Sequence, residues 1–146
     1  MDYTECIVEY RRDGTDGHFF TMTEEGIPVF HIDLKELSPD GRRHWANRLL
    51  NAAVLSCVAT TLASDLTKRG ATVKSMTGRA ASEMEKDDYQ RTKIAHIQVE
   101  IDVDIGDTDP RILEECREII GRDTLTMYSL REGVEVDAVI NRVGGG

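Results

Sequence analysis

The chain is poor in cysteine, and that scarcity sets its first limits. Only Cys6, Cys57 and Cys116 occur in 146 residues. An odd number, with no CxxC pair and no zinc-finger spacing, argues against a disulfide scaffold or a zinc module. It suits a reducing cytosol. No stretch approaches the roughly 20 apolar residues of a membrane span. The opening Met1-Asp2-Tyr3-Thr4-Glu5 is acidic and lacks the basic and apolar segments of a signal peptide. The expectation is a soluble, cytoplasmic protein. Positive charge is also short: 18 Lys and Arg face 27 Asp and Glu, a net charge of −9. Such a surface repels phosphate backbones and offers no polybasic anchor for anionic lipid. Neither nucleic acid nor a membrane is an expected partner. There is no Gly-rich phosphate loop, no GxSxG elbow and no HExxH. His18, His31, His44 and His96 stand singly, and Asp102, Asp104, Asp107 and Asp109 lack the Gly and Glu of a calcium loop. No metal is expected.

What is present is a chain of the commonest size for one domain, with 40% apolar and 31% charged residues. That balance is globular, and residues 1–146 are expected to form one α+β domain. Thr4–Arg12 alternates, with Cys6, Val8 and Tyr10 on one face, as a half-buried strand does. His18–Met22 and Ile27–Leu34 follow across turn residues, giving a three-stranded meander. Ser38-Pro39 has the form of a helix entry. Apolar residues then repeat at three and four positions from Leu49 to Leu62, and Gly70 closes the segment. Its middle, Ala52 to Ala63, is almost free of charge, which predicts burial on more than one side. Ala71–Glu83 and Ile94–Ile105 read as two strands around a polar hairpin loop. In the second, Ile97, Val99, Ile101 and Val103 face one way and His96, Gln98, Glu100 and Asp102 the other. Asp109-Pro110 opens a second helix, ending at Gly121. A short helix over Thr124–Leu130 and a last strand over Gly133–Val143 complete the order βββ-α-ββ-α-β.

Cys57 carries the strongest chemical signal. Its default role is packing, because it lies on an apolar stripe. Ser56, Thr60 and Thr61 beside it are small polar residues able to border a pocket. A cation near the thiol would make it reactive. Cys116 has the same stripe position in weaker surroundings, and Cys6 reads as structural.

Three segments resemble the OsmC/Ohr family, whose typical members reduce organic hydroperoxides with a cysteine thiol. Arg11-Arg12-Asp13-Gly14 is similar to the family's Arg-x-Gly turn. Ala46-Asn47-Arg48-Leu49-Leu50, running on to Cys57, is similar to its Pro-Glu-x-Leu…Cys helix. Ser129-Leu130-Arg131-Glu132-Gly133-Val134 is similar to the lead into its final strand. The resemblance implies that Cys57 is the nucleophile and that Arg12, or Arg11 one register away, stabilises its thiolate. The family's orienting glutamate falls on Asn47, which carries no charge. Its second cysteine falls on Thr124, or on Asp123 if the register slips, and neither is a thiol. An external thiol would then have to resolve the oxidised cysteine. The resemblance further implies an intertwined homodimer with sites between subunits, and it implies no cofactor. Three functions follow. The first is thiol-dependent reduction of an organic hydroperoxide through Cys57. The second is a non-catalytic protein holding a small hydrophobic molecule at the dimer interface. The third pairs Cys57 with Cys116 as an unusual redox couple.

Overall fold

In the computed structural model, residues 6–22 and 25–133 are described. They form two compact units, one up to Ala46 and one from Asn47. In the first, β1 (Glu9–Asp13), β2 (Gly17–Thr21) and β3 (Phe30–Asp33) make an antiparallel sheet in that order. This is the expected meander with shorter strands. β3 starts two residues after Pro28, whose missing N–H cannot join a ladder. β1 starts at Glu9, so Cys6 and Val8 lie outside the sheet.

The register places Tyr10 opposite Phe20 and Phe20 opposite Phe30. His18 and Phe20 also touch Trp45, at ring separations of 5.2 and 5.8 Å. His18 is buried there and shares a 2.9 Å hydrogen bond with the Tyr10 hydroxyl. Many other apolar residues of this unit stay exposed, among them Ile7, Val8, Ile27, Val29 and Phe30. A patch of that kind is unusual on a free surface.

Helix α1 runs over Pro39–Lys68. It opens as the sequence predicts: the Ser38 hydroxyl accepts a hydrogen bond from the Gly41 N–H at 3.1 Å. Non-helical dihedrals at His44 interrupt it shortly before the unit boundary. It closes in a Schellman motif. Gly70, at φ +88°, supplies the left-handed residue, Gly70 N–H reaches Thr67 O, and Ala71 N–H reaches Leu66 O. The paired apolar contact is present too, since Leu66 and Ala71 are both buried.

In the second unit, β4 (Ser75–Lys86) and β5 (Thr92–Asp104) form a long antiparallel hairpin, with Ser82 opposite Ile97 and Gly78 opposite Ile101. Alternation in β5 is as expected: Ile97, Val99, Ile101 and Val103 are part-buried, and the residues between them are exposed. Asp109 caps α2 (Pro110–Asp123) through the Arg111 N–H at 3.0 Å. The helix does not end at Gly121 as expected but continues to Asp123, where Thr124 starts α3 (Leu125–Glu132). Val54, Val58, Leu62 and Leu66 of α1 form the core with Cys116 and Ile120 of α2. Truncating the fully buried Leu66 to Ala should cost about 2–5 kcal/mol. The last strand expected over Gly133–Val143 lies beyond the described residues.

Two expectations about α1 are corrected. Its length and apolar composition do match a segment able to cross a membrane. Leu, Val, Ala and Cys supply the apolar character, and the Asn, Ser and Thr among them break any continuous run, so the pattern escapes notice in sequence. The helix is also not covered on several sides within the chain. Ala52, Ala53, Ser56 and Thr60 are exposed, opposite the buried stripe. Only its larger residues find cover.

Candidate functional site

At 100° per residue, Cys57 falls where the covered and uncovered faces of α1 meet. Val54 and Val58 on one side of it are buried, and Ala53 and Thr60 on the other are exposed. The thiol is accordingly half-buried, which keeps it reachable. Its depth is set by how closely α1 approaches the sheet. Gly78 of β4 sits under Leu55, where an added Cβ would meet Leu55 Cδ1 at 2.9 Å.

The groups facing the sulfur come mainly from the start of α3. Hydrogen bonds from the Thr126 side chain, the Thr126 and Leu125 backbones and the Thr61 side chain lower the Cys57 pKa, with the Thr126 hydroxyl contributing most. Burial opposes them and is outweighed. The first N–H groups of any helix lack intrahelical partners. Here the N-cap residue Thr124 makes no side-chain capping bond, so those donors are available to the thiol. A thiolate at a helix N-terminus is also favoured by the helix dipole. In bonding geometry, Thr126 Oγ1 is buried and has no hydrogen-bond partner among the described residues, the Cys57 sulfur included.

Cys116 is the opposite case. It is fully buried, and desolvation together with the neighbouring Asp65 carboxylate pushes its thiol up to about 11. Asp65 pairs with Arg69 at 3.4 Å, and Arg69 with Glu115 at 2.7 Å. Asp65 lies eight residues beyond Cys57, about 12 Å along the helix axis. Cys116 thus lies beside a residue two helical turns along α1 from Cys57. A disulfide needs Cα atoms within about 7 Å.

The other expected site residues lie as follows. Thr124 is 1% exposed and directly precedes Leu125 and Thr126, which lower the Cys57 pKa. Asn47 sits ten residues from Cys57 on α1, about 15 Å by helix rise. It accepts from Ser82 Oγ at 3.1 Å, and Ser82 accepts from Asn51 at 3.0 Å. The Asn47 amide therefore serves the α1–β4 contact. In the first unit, Arg12 donates to Gly14 O at 3.0 Å and Thr15 O at 3.1 Å, bracing the β1–β2 turn. Arg11 lies over the Phe19 ring at 4.3 Å. Of the polar residues flanking Cys57, Thr61 is the one that helps lower its pKa, while Ser56 and Thr60 are on the exposed face. Thr126 had no signal in the sequence beyond its nearness to Thr124. Among the described residues, no group of three or more His, Cys, Asp or Glu is arranged to hold a metal.

Comparison with known proteins agrees with this fold. Residues 46–139 match the family model described as OsmC-like protein. An OsmC-like protein of unknown function from Vibrio cholerae O1 biovar eltor superposes with a TM-score of 0.61 at 15% identity. The overlap covers 87% of this chain and 92% of that one. A hypothetical protein from Aquifex aeolicus superposes with a TM-score of 0.66 at 13% identity, covering 89% of each chain. No curated protein matches by sequence. With its α+β fold, antiparallel sheets and long helix, and with the family match spanning most of its length, the chain belongs to the OsmC-like protein family.

Proposed function

We propose that this protein reduces organic hydroperoxides through Cys57, with an external thiol as reductant. One observation carries the reading: a reachable cysteine whose pKa is lowered by hydrogen bonds in its own unit. The thiolate attacks the terminal oxygen of ROOH. An S–O bond forms, the O–O bond breaks, and the alkoxide leaves and takes a proton to become ROH. Cys57 is left as a sulfenic acid. One external thiol condenses with it, releasing water and forming a mixed disulfide. A second thiol then frees Cys57 and leaves as the external disulfide. This fits a chain with Thr124 in the second cysteine's place and Cys116 out of reach.

The working form is a homodimer, in the cytoplasm. The exposed small-residue face of α1 and the exposed apolar residues of β1–β3 support a second copy as their cover. Purified protein, an alkyl hydroperoxide and dithiothreitol test the reaction. Peroxide loss, with a dimedone adduct on Cys57 when the reductant is withheld, supports it. No adduct on Cys57 at stoichiometric peroxide overturns it.

A second reading keeps the fold and drops the turnover. Two mainly apolar cavities of about 470 and 330 Å³, the first bordered by α1, β5 and α3 and the second also by α2, share Val99 and Met127. Both volumes suit a small ligand. This reading binds a small hydrophobic molecule. It predicts a thermal shift with medium-chain fatty acids that Cys57→Ser leaves unchanged. Absence of any shift across the chain-length series would remove it.

A further inference from the structure

We infer that the larger of the two cavities is a site for an unbranched aliphatic acid, with its carboxylate at Arg131 and its tail on the bulged end of β5. This deepens the second reading above and rests on it, and it does not need Cys57 to react. Strand register builds the cavity. Ser82 of β4 pairs with Ile97 and Glu83 with His96, but Met84 pairs with Ile94, so Ala95 is an extra residue without a cross-strand partner. A β-bulge of this kind bends its strand and re-aims the side chains beyond it. Strict alternation would have put Lys93 on the face of Ile97. The bulge puts Ile94 there instead, since cross-strand partners share a face and Met84 shares one with Ser82. Asn47 marks that face as the one beneath α1: it accepts from Ser82 Oγ at 3.1 Å and donates to Met84 Sδ at 3.8 Å. Leu50 and Val54 of α1 and Met127 and Leu130 of α3 complete an apolar lining of about 470 Å³. Its walls are open to an occupant, with Ile94 37% and Leu130 43% exposed.

The charges at the cavity select the occupant. Among the described residues its lining includes Arg131 and His96 and no carboxylate, in a chain where 27 acids outnumber 18 Lys and Arg. An apolar slot with a few polar groups fixes a ligand's orientation through those groups. A guanidinium presents paired N–H donors that match a carboxylate. Arg131 stands in the last turn of α3, one residue beyond Leu130, so head and tail are served by neighbouring positions. Met127 borders both cavities and therefore sets where the tail stops.

Isothermal titration of the whole chain with decanoate and with decanol, at low salt, tests this. Arg131→Gln should weaken decanoate about fivefold and leave decanol within about twofold, the size of an exposed ion pair. Arg131→Lys should keep decanoate within about twofold of wild type. Arg117, at the second cavity and ion-paired with Glu114, is the control, and Arg117→Gln should change neither ligand. Met127→Ala should shift preference from decanoate toward tetradecanoate by about threefold, through added apolar burial. Circular dichroism checks that each variant folds. Indifference of decanoate to Arg131→Gln, equal weakening of decanoate and decanol, or the loss appearing in Arg117→Gln overturns the inference and leaves the second reading standing. An unchanged chain-length order in Met127→Ala overturns the placement of the tail. If wild type binds neither decanoate nor decanol, the slot belongs to protein, such as a second copy of the chain, and the second reading falls with the inference.

Discussion

Cys57 and Cys116 share a residue type, a unit and a place on an apolar helical stripe, yet their thiols face opposite chemistry. Cys57 meets hydrogen-bond donors at the start of α3, and its pKa falls. Cys116 meets hydrocarbon and a carboxylate, and its pKa rises to about 11. A stripe position therefore forecasts packing and says little about reactivity. Reactivity is set by whether the facing groups give hydrogen bonds or carry negative charge.

The largest expected effect breaks the pair apart. Cys57→Ser should lower hydroperoxide consumption on the order of 10³-fold or more, and Cys116→Ser should leave it within about twofold. Steady-state peroxide assays decide this, and loss of turnover in the Cys116 variant would contradict the contrast. Next in size is the difference in thiol reactivity. One pKa lies below 9.0 and the other near 11. At pH 7 their thiolate fractions should then differ by more than roughly 100-fold. Site-resolved alkylation with equal rates at both sulfurs would refute it.

A stability measurement sharpens the Cys116 side. Its thiol loses a proton near pH 9 when unfolded and near 11 when folded. Between those values the native state holds the extra proton, so stability falls as pH rises. The loss should be roughly 2 kcal/mol from pH 9 to 11, and Cys116→Ala should flatten it. Urea titrations of the two proteins showing parallel slopes would dismiss this. The smallest effect concerns the floor beneath the nucleophile. Gly78→Ala should cost about 1 kcal/mol by pressing on Leu55, and equal urea midpoints would show that α1 shifts freely.

Much of the fold was legible in the sequence because its signals are local. Ser38-Pro39 and Asp109-Pro110 open helices, Gly70 closes one, and the alternation around Val99 marks a strand with one covered face. The burial expected on several sides of α1 is not seen among the described residues: Ala52, Ala53 and Ser56 read as interior residues in sequence but are exposed. Gly121 failed as a helix end because the helix continues to the cap shared with α3. At the site, Cys57 could be found from its stripe and the family pattern. Thr126 could not, since it bears on the Cys57 pKa across 69 positions of sequence. The resemblance puts Asn47 in the place of the family's glutamate, and its side-chain oxygen accepts from Ser82.

The central claim is that the surroundings of the sulfur at position 57 favour its anion and lower its pKa. Ultraviolet titration of the thiolate, in protein carrying Cys6→Ser and Cys116→Ser, tests it most directly. The account predicts one inflection below that of the same thiol in the urea-unfolded chain. An inflection at or above the unfolded value would contradict it.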